Sequence, residues 1–201
     1  MAVAHADPST RLRLIVDAAG VLSPVIRANL ISEASRIWSK EHVSLVTEDD
    51  GHCLATDPET VAVRIDVGND TQSGDAGLGA IRFSPDGRPE SVIALNLDSV
   101  VRIATSAPVM GVHPALWPAG LRQEIIARAL GRALAHEIGH YLLRSPHHTS
   151  SGLMQARYKG SAIGNPSDRL FALTSPDRAR LRIALAAPLD HEPVCPILAT
   201  R

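Results

Sequence analysis

The sequence predicts an α+β fold in which a mixed, mostly parallel, twisted sheet packs on helices, one of them a long helix bearing a metal-ligand motif. Three observations lead there. Two-residue alternation and branched apolar runs are concentrated before residue 100, whereas apolar residues three and four apart dominate after it. The chain opens with a strand–helix–strand order, which a right-handed crossover turns into a parallel pair. The segment from Ala135 to Met154, AHEIGHYLLRSPHHTSSGLM, holds four of the chain's nine histidines in surroundings rich in Ala, Leu and Ile.

Taken in order, Arg11 to Ala18 (RLRLIVDA) reads as a first strand ended by Gly20. Ser23-Pro24 supplies an N-cap and a first helical residue, and Val25, Ile26, Leu30, Ile31, Ala34, Ile37 and Trp38 recur at helical spacing to about Lys40. Val43 to Thr47 is a second strand, followed by an acidic turn, Glu48-Asp49-Asp50-Gly51. Val61 to Val67 (VAVRIDV) alternates most clearly of all, and Gly68 to Gly79 after it is a polar, glycine-rich loop. That loop reads as a plain connection, with a rim over a cleft or a calcium loop using Asp70 and Asp75 as the functional alternatives. Ala80 to Phe83 and Ser91 to Leu97 make a hairpin around Ser84-Pro85-Asp86-Gly87. Asp98 to Thr105 reads as a short helix. Ala107 to Gly120, with Pro108, Pro114 and Pro118, reads as an irregular loop in which Trp117 packs and His113 is exposed. From Leu121 to Leu143 the pattern is helical. Gln155 to Phe171 reads as mostly irregular, and a last helix opens at Thr174 or Ser175 and runs to about Ala187.

Composition bounds what such a fold does. With 201 residues, 45% hydrophobic and 20% charged, and no repeat or linker, the chain reads as a single domain over 1–201, with 1–10 and 188–201 as loosely ordered tails. A net charge of −1 with scattered basic residues argues against nucleic acid and against an anionic membrane surface. MAVAHADPST has no apolar signal region, so the chain as written reads as cytoplasmic, with secretion by another route left open. Cys53 and Cys195 are too few for a disulfide framework and read as free thiols, a single bridge between them remaining open. Oligomeric state is not readable.

The chemistry lies in His136, Glu137 and His140, an HExxH on the long helix. Residues four apart share a helix face, so both imidazoles reach one ion at about 2.0–2.1 Å. Glu137 follows about 100° further round, where its carboxylate leans over the ion's open position without ligating it. Zn2+ is the implied cofactor. Pro146 ends the helix near Arg144 or Ser145, and beyond it adjacent side chains point to opposite sides, so only one of His147 and His148 faces the metal. Met154 reads as a core methionine forming an apolar floor beneath the histidines.

HEIGHYLL, a following His and Gly152-Leu153-Met154 resemble the metzincin clan of zinc peptidases, particularly the matrixin pattern HExxHxxGxxH with its Met-turn. They resemble still more the short bacterial zincin-like proteins carrying HExGHxLLGSxxHSxxGLM. The match covers about a tenth of the chain. Two positions depart from the pattern: its glycine would fall at Leu143 or Arg144, and the third metzincin His would fall at Pro146. The bacterial spacing selects His148, followed by Thr149, as third ligand, with His147 the alternative. The resemblance implies zinc-dependent hydrolysis of peptide bonds in a peptide or protein substrate. It also implies that the edge strand from Leu78 to Phe83 pairs with extended substrate, making Gly79, Ala80 and Ile81 substrate-binding residues. In some metzincins a Tyr just after the Met-turn stabilises the oxyanion; Tyr158 stands at a different spacing.

The mechanism expected is hydrolysis by a metal-activated water with Glu137 as general base. Three rival readings stay open: a non-catalytic zinc protein whose open position is filled by His147 or another side chain, a thermolysin-like site with Asp168, Asp177, Asp190 or Glu192 as third ligand, and an interaction module without metal.

Overall fold

The computed structural model describes residues 10–18, 20–47, 60–68, 77–167 and 169–186. The two tails, Cys53 and Cys195, the acidic turn at 48–51, the loop carboxylates Asp70 and Asp75, and Asp168, Asp190 and Glu192 lie outside the described residues.

The first strand, β1 (Thr10–Asp17), buries Leu12, Leu14 and Val16 and leaves Arg11 and Asp17 exposed, so its period-two pattern presents one apolar face. The first helix, α1 (Pro24–Trp38), starts where Ser23 Oγ accepts the Ile26 amide at 3.3 Å and Pro24 takes the first helical position. A 3-10 turn over Ser39–Glu41 leads to β2 (Val43–Thr47), which runs parallel to β1 in the register Leu12 to Leu45. The third strand, β3 (Thr60–Gly68), lies parallel to β1 on its other side. Next come β4 (Gly79–Phe83) and β5 (Pro89–Asn96), paired antiparallel around a turn in which Gly87, at φ 80°, donates its amide to the Ser84 carbonyl at 2.8 Å. Strand β5 runs parallel to β3, so the sheet order is β2-β1-β3-β5-β4, with three parallel pairs and one antiparallel edge.

Four helices follow: α2 (Leu97–Ala104), α3 (Ala119–Leu143), α4 (Gly160–Ile163) and α5 (Ser175–Ala186). Leu97 belongs to α2 and not to the preceding strand, because Asn96 accepts the Ser99 amide at 2.9 Å and starts the helix there. Strand β5 begins two residues earlier than expected, at Pro89, since a proline is tolerated as the first residue of a strand. The stretch from Gln155 to Phe171, expected to be mostly irregular, holds two short elements, α4 and a 3-10 turn over Arg169–Phe171. Between α2 and α3, Trp117 is buried and donates Nε1–H to the Val112 carbonyl, while His113 is exposed and caps a 3-10 turn over Pro114–Leu116.

The core lies between the sheet and the helices α1 and α3, with Leu12, Leu14, Ile93, Leu30, Leu130 and Leu134 fully buried in it. Helix α3 crosses α1 closely at Gly131, where a Cβ would stand 2.5 Å from the Leu30 carbonyl oxygen. Only a residue without a side chain permits that approach. The next residue, Arg132, is fully buried; its guanidinium bonds Glu33 of α1 at 2.8 Å and the carbonyls of Ala162, Ile163 and Ser167. Arg132 thus ties α1, α3 and the α4 region together, and no helix among the described residues is long and apolar enough to cross a membrane.

Candidate metal centre

Helix α3 brings His136, Glu137 and His140 to one place and buries all three. It ends in a Schellman turn. Arg144 takes the left-handed conformation at φ 49°, ψ 43°, its amide reaches the Tyr141 carbonyl, and the Ser145 amide reaches the His140 carbonyl at 3.2 Å. The position that lacks the expected glycine therefore makes the turn regardless. Beyond Pro146 the chain runs back past the helix and carries His148 to the two helical histidines. The side chain of His147 is not part of the cluster, although its amide bonds Ser145 Oγ at 3.2 Å.

The imidazole nitrogens converge. His140 Nε2 stands 3.0 Å from His136 Nε2 and 3.3 Å from His148 Nε2. Carbonyl oxygens face the remaining nitrogens of the two helical rings, with His136 Nδ1 2.7 Å from Leu153 O and His140 Nδ1 2.7 Å from Ser145 O. A carbonyl only accepts, so each Nδ1 carries the hydrogen and each Nε2 turns a lone pair inward. Lone pairs facing at 3.0 Å repel unless a cation lies between them. Two nitrogens on one tetrahedral zinc at about 2.0–2.1 Å stand about 3.3 Å apart, close to both separations here. Three converging imidazoles, two of them with Nδ1 anchored on a carbonyl, therefore fit a zinc ion.

Electrostatics agree with that donor set. Burial, reinforced by the neighbouring His140, pushes His136 down to about 4. His140 and His148 are also lowered, each mainly by burial. All three rings thus resist protonation and keep their lone pairs. Burial alone pushes Glu137 up to about 8. Glu137 lies beside the donor set without joining it, and no other Cys, Asp or Glu joins it among the described residues. Asp177 is engaged elsewhere: its carboxylate accepts from Thr174 Oγ1 at 2.6 Å at the start of α5.

Met154 is buried against the turn of α3 between the two helical histidines, where a Cβ on Gly139 would overlap its Sδ. The loop holding Met154 is closed by Thr149, whose amide bonds the Met154 carbonyl at 2.8 Å, and is fastened by the Leu153 amide to Ala172 O at 2.9 Å. Gly152, at φ 78°, has no room for a side chain, since a Cβ there would lie 2.7 Å from the Ala172 oxygen. Gly79, Ala80 and Ile81 lie in β4 at the sheet edge, and Gly79 abuts Glu137 so closely that a Cβ would meet Glu137 Cγ at 2.9 Å.

Sequence reasoning missed Arg132 and Glu33, and the anchoring carbonyls of Leu153 and Ser145. A signal for the first pair exists. Arg132 sits four residues before His136 on the apolar face, and Glu33 interrupts the apolar stripe of α1, so each needs a buried partner.

No family model matches the chain, and no curated protein matches it. Among solved structures, metalloproteinase-II from Bacteroides fragilis is similar at 13% identity and a TM-score of 0.48, the match covering 88% of this chain and 53% of that one. The chain spans about half the length of that structure. What the site can do is therefore decided by its own geometry.

Proposed function

We propose that this protein is a zinc-dependent metallopeptidase of the metzincin-like type, with His136, His140 and His148 as ligands and Glu137 as general base. The observation that carries the reading is the convergence of three imidazole Nε2 atoms beside a buried, non-ligating carboxylate. A zinc ion held there would polarise a substrate carbonyl and lower the pKa of a water beside it. Glu137 takes a proton from the attacking water at its carboxylate and delivers it to the leaving amine. Burial favours the protonated form of Glu137, whereas a neighbouring cation favours the carboxylate; the two influences oppose each other and suit a group that must both accept and release a proton.

Substrate enters as an added strand. The outer edge of β4 is unpaired among the described residues, and its Gly79 end adjoins Glu137. An extended peptide bonded to the backbone of Gly79, Ala80 and Ile81 would have its scissile carbonyl carried to the carboxylate. Met154 keeps the underside of the histidines dry.

Zinc content and hydrolysis of a mixed peptide library test the assignment together. Glu137→Gln should retain one zinc per chain and lose roughly a hundredfold or more in kcat, and His136→Ala should lose both zinc and activity. Hydrolysis by Glu137→Gln at the wild-type rate would remove the general-base role.

A further inference from the structure

Tyr158 is buried beside His136, on the side of that ring away from the converging Nε2 atoms. Its ring is buried, stacked on Phe171 with centroids 4.9 Å apart, and Phe171 in turn lies beneath the Arg132 guanidinium at 4.0 Å. Arg132 stands one turn before His136 on α3, so the stack starts on the helix that carries the histidines and ends with Tyr158 against His136. The hydroxyl is 3.4 Å from His136 Nδ1, on the side of the ring away from the Nε2 atoms, and it donates to the Leu153 carbonyl. That same oxygen accepts the His136 Nδ1–H at 2.7 Å.

We infer that Tyr158 is a positioning residue for His136: its hydroxyl fixes the Leu153 carbonyl that holds the imidazole Nδ1–H and so aims Nε2 into the site. Leu153 O has two lone pairs and both are used, one by each donor. A carbonyl held by a rigid phenol cannot rotate away, so the ring it anchors keeps its tautomer and its plane. The ring stack on Phe171 and Arg132 supplies the rigidity. The hydroxyl's proton is committed to Leu153 and the oxygen faces the back of the ring, which leaves it no part in stabilising charge at the reacting carbonyl.

This role rests on the zinc reading above, and the experiment separates the two. Zinc affinity is measured by chelator competition on wild type and Tyr158→Phe, alongside circular dichroism of the metal-free proteins and kcat at saturating zinc. The phenylalanine keeps the stack and removes only the hydroxyl. Expected is a Kd for zinc about tenfold weaker in Tyr158→Phe, a secondary structure matching wild type, and a kcat at saturating zinc within about threefold. An unchanged zinc Kd overturns the positioning role, and an unchanged Kd with a hundredfold loss of kcat assigns the hydroxyl to the reaction itself. A wild-type protein that takes up no zinc overturns the metal site, and this role with it.

Discussion

Burial of Glu137 makes the folding of the metal-free protein sensitive to pH. In the metal-free protein its carboxyl is pushed up to about 8 by burial, against 4.5 when unfolded, so its contribution to stability is complete below pH 4.5 and is lost as pH rises through 8. His136, lowered to about 4, works the other way: its contribution is present above its unfolded value of 6.5 and is lost as pH falls toward 4. The two slopes oppose each other between about pH 4.5 and 6.5, and Glu137 acts alone of the pair above that. Metal-free protein should therefore lose roughly 1–2 kcal/mol between pH 6.5 and 8 in urea unfolding, and Glu137→Gln should flatten that slope. An equally steep slope in the variant would place the titrating group elsewhere. His136, Glu137 and His140 were legible in the sequence because helical spacing alone puts them together. Arg132 was not, since a charged residue on a helix is usually solvated and the partners that make its burial tolerable, Glu33 and the carbonyls of Ala162, Ile163 and Ser167, all lie far away in the chain.

Among the elements, α3 joins core to site in one 25-residue piece. Its apolar spacing gave its existence and Pro146 its end, yet two of its glycines carry information that periodicity does not. Gly131 admits α1, and Gly139 admits Met154; both are gaps shaped by neighbours distant in sequence. The strands were legible to within two residues from alternation, whereas α4, with only four residues, is too short to show a period. The Schellman turn also bears on stability. A left-handed residue with a Cβ costs about 1 kcal/mol relative to glycine, and Arg144 sits in that conformation. Arg144→Gly should accordingly be about 1 kcal/mol more stable than Arg144→Ala, a comparison in which both variants lack the arginine side chain. Equal midpoints in chemical denaturation would mean that the turn relaxes out of the left-handed region.

For the whole molecule, the sequence conveyed a mixed, mostly parallel sheet and the β1–β2 pair, but not the strand order. The place of β3 between β1 and β5 is fixed by long-range pairing, for which local alternation carries no signal. That order puts β4 at the sheet edge beside α3, and so beside Glu137. Its pairing with β5 is regular from Gly79 to Ile81 and then shifts register before Phe83. An irregularity of this kind bends and twists a strand away from its line. The straight part of β4 is therefore three residues long, and with substrate added to this edge as proposed it would act as a ruler: a peptide would gain backbone partners along that run and none of the same kind past it. Cleavage of a ladder of peptides lengthened one residue at a time on that side should show KM falling to about the third residue and level thereafter. A KM that keeps falling well beyond would mean that the measured length lies on another surface.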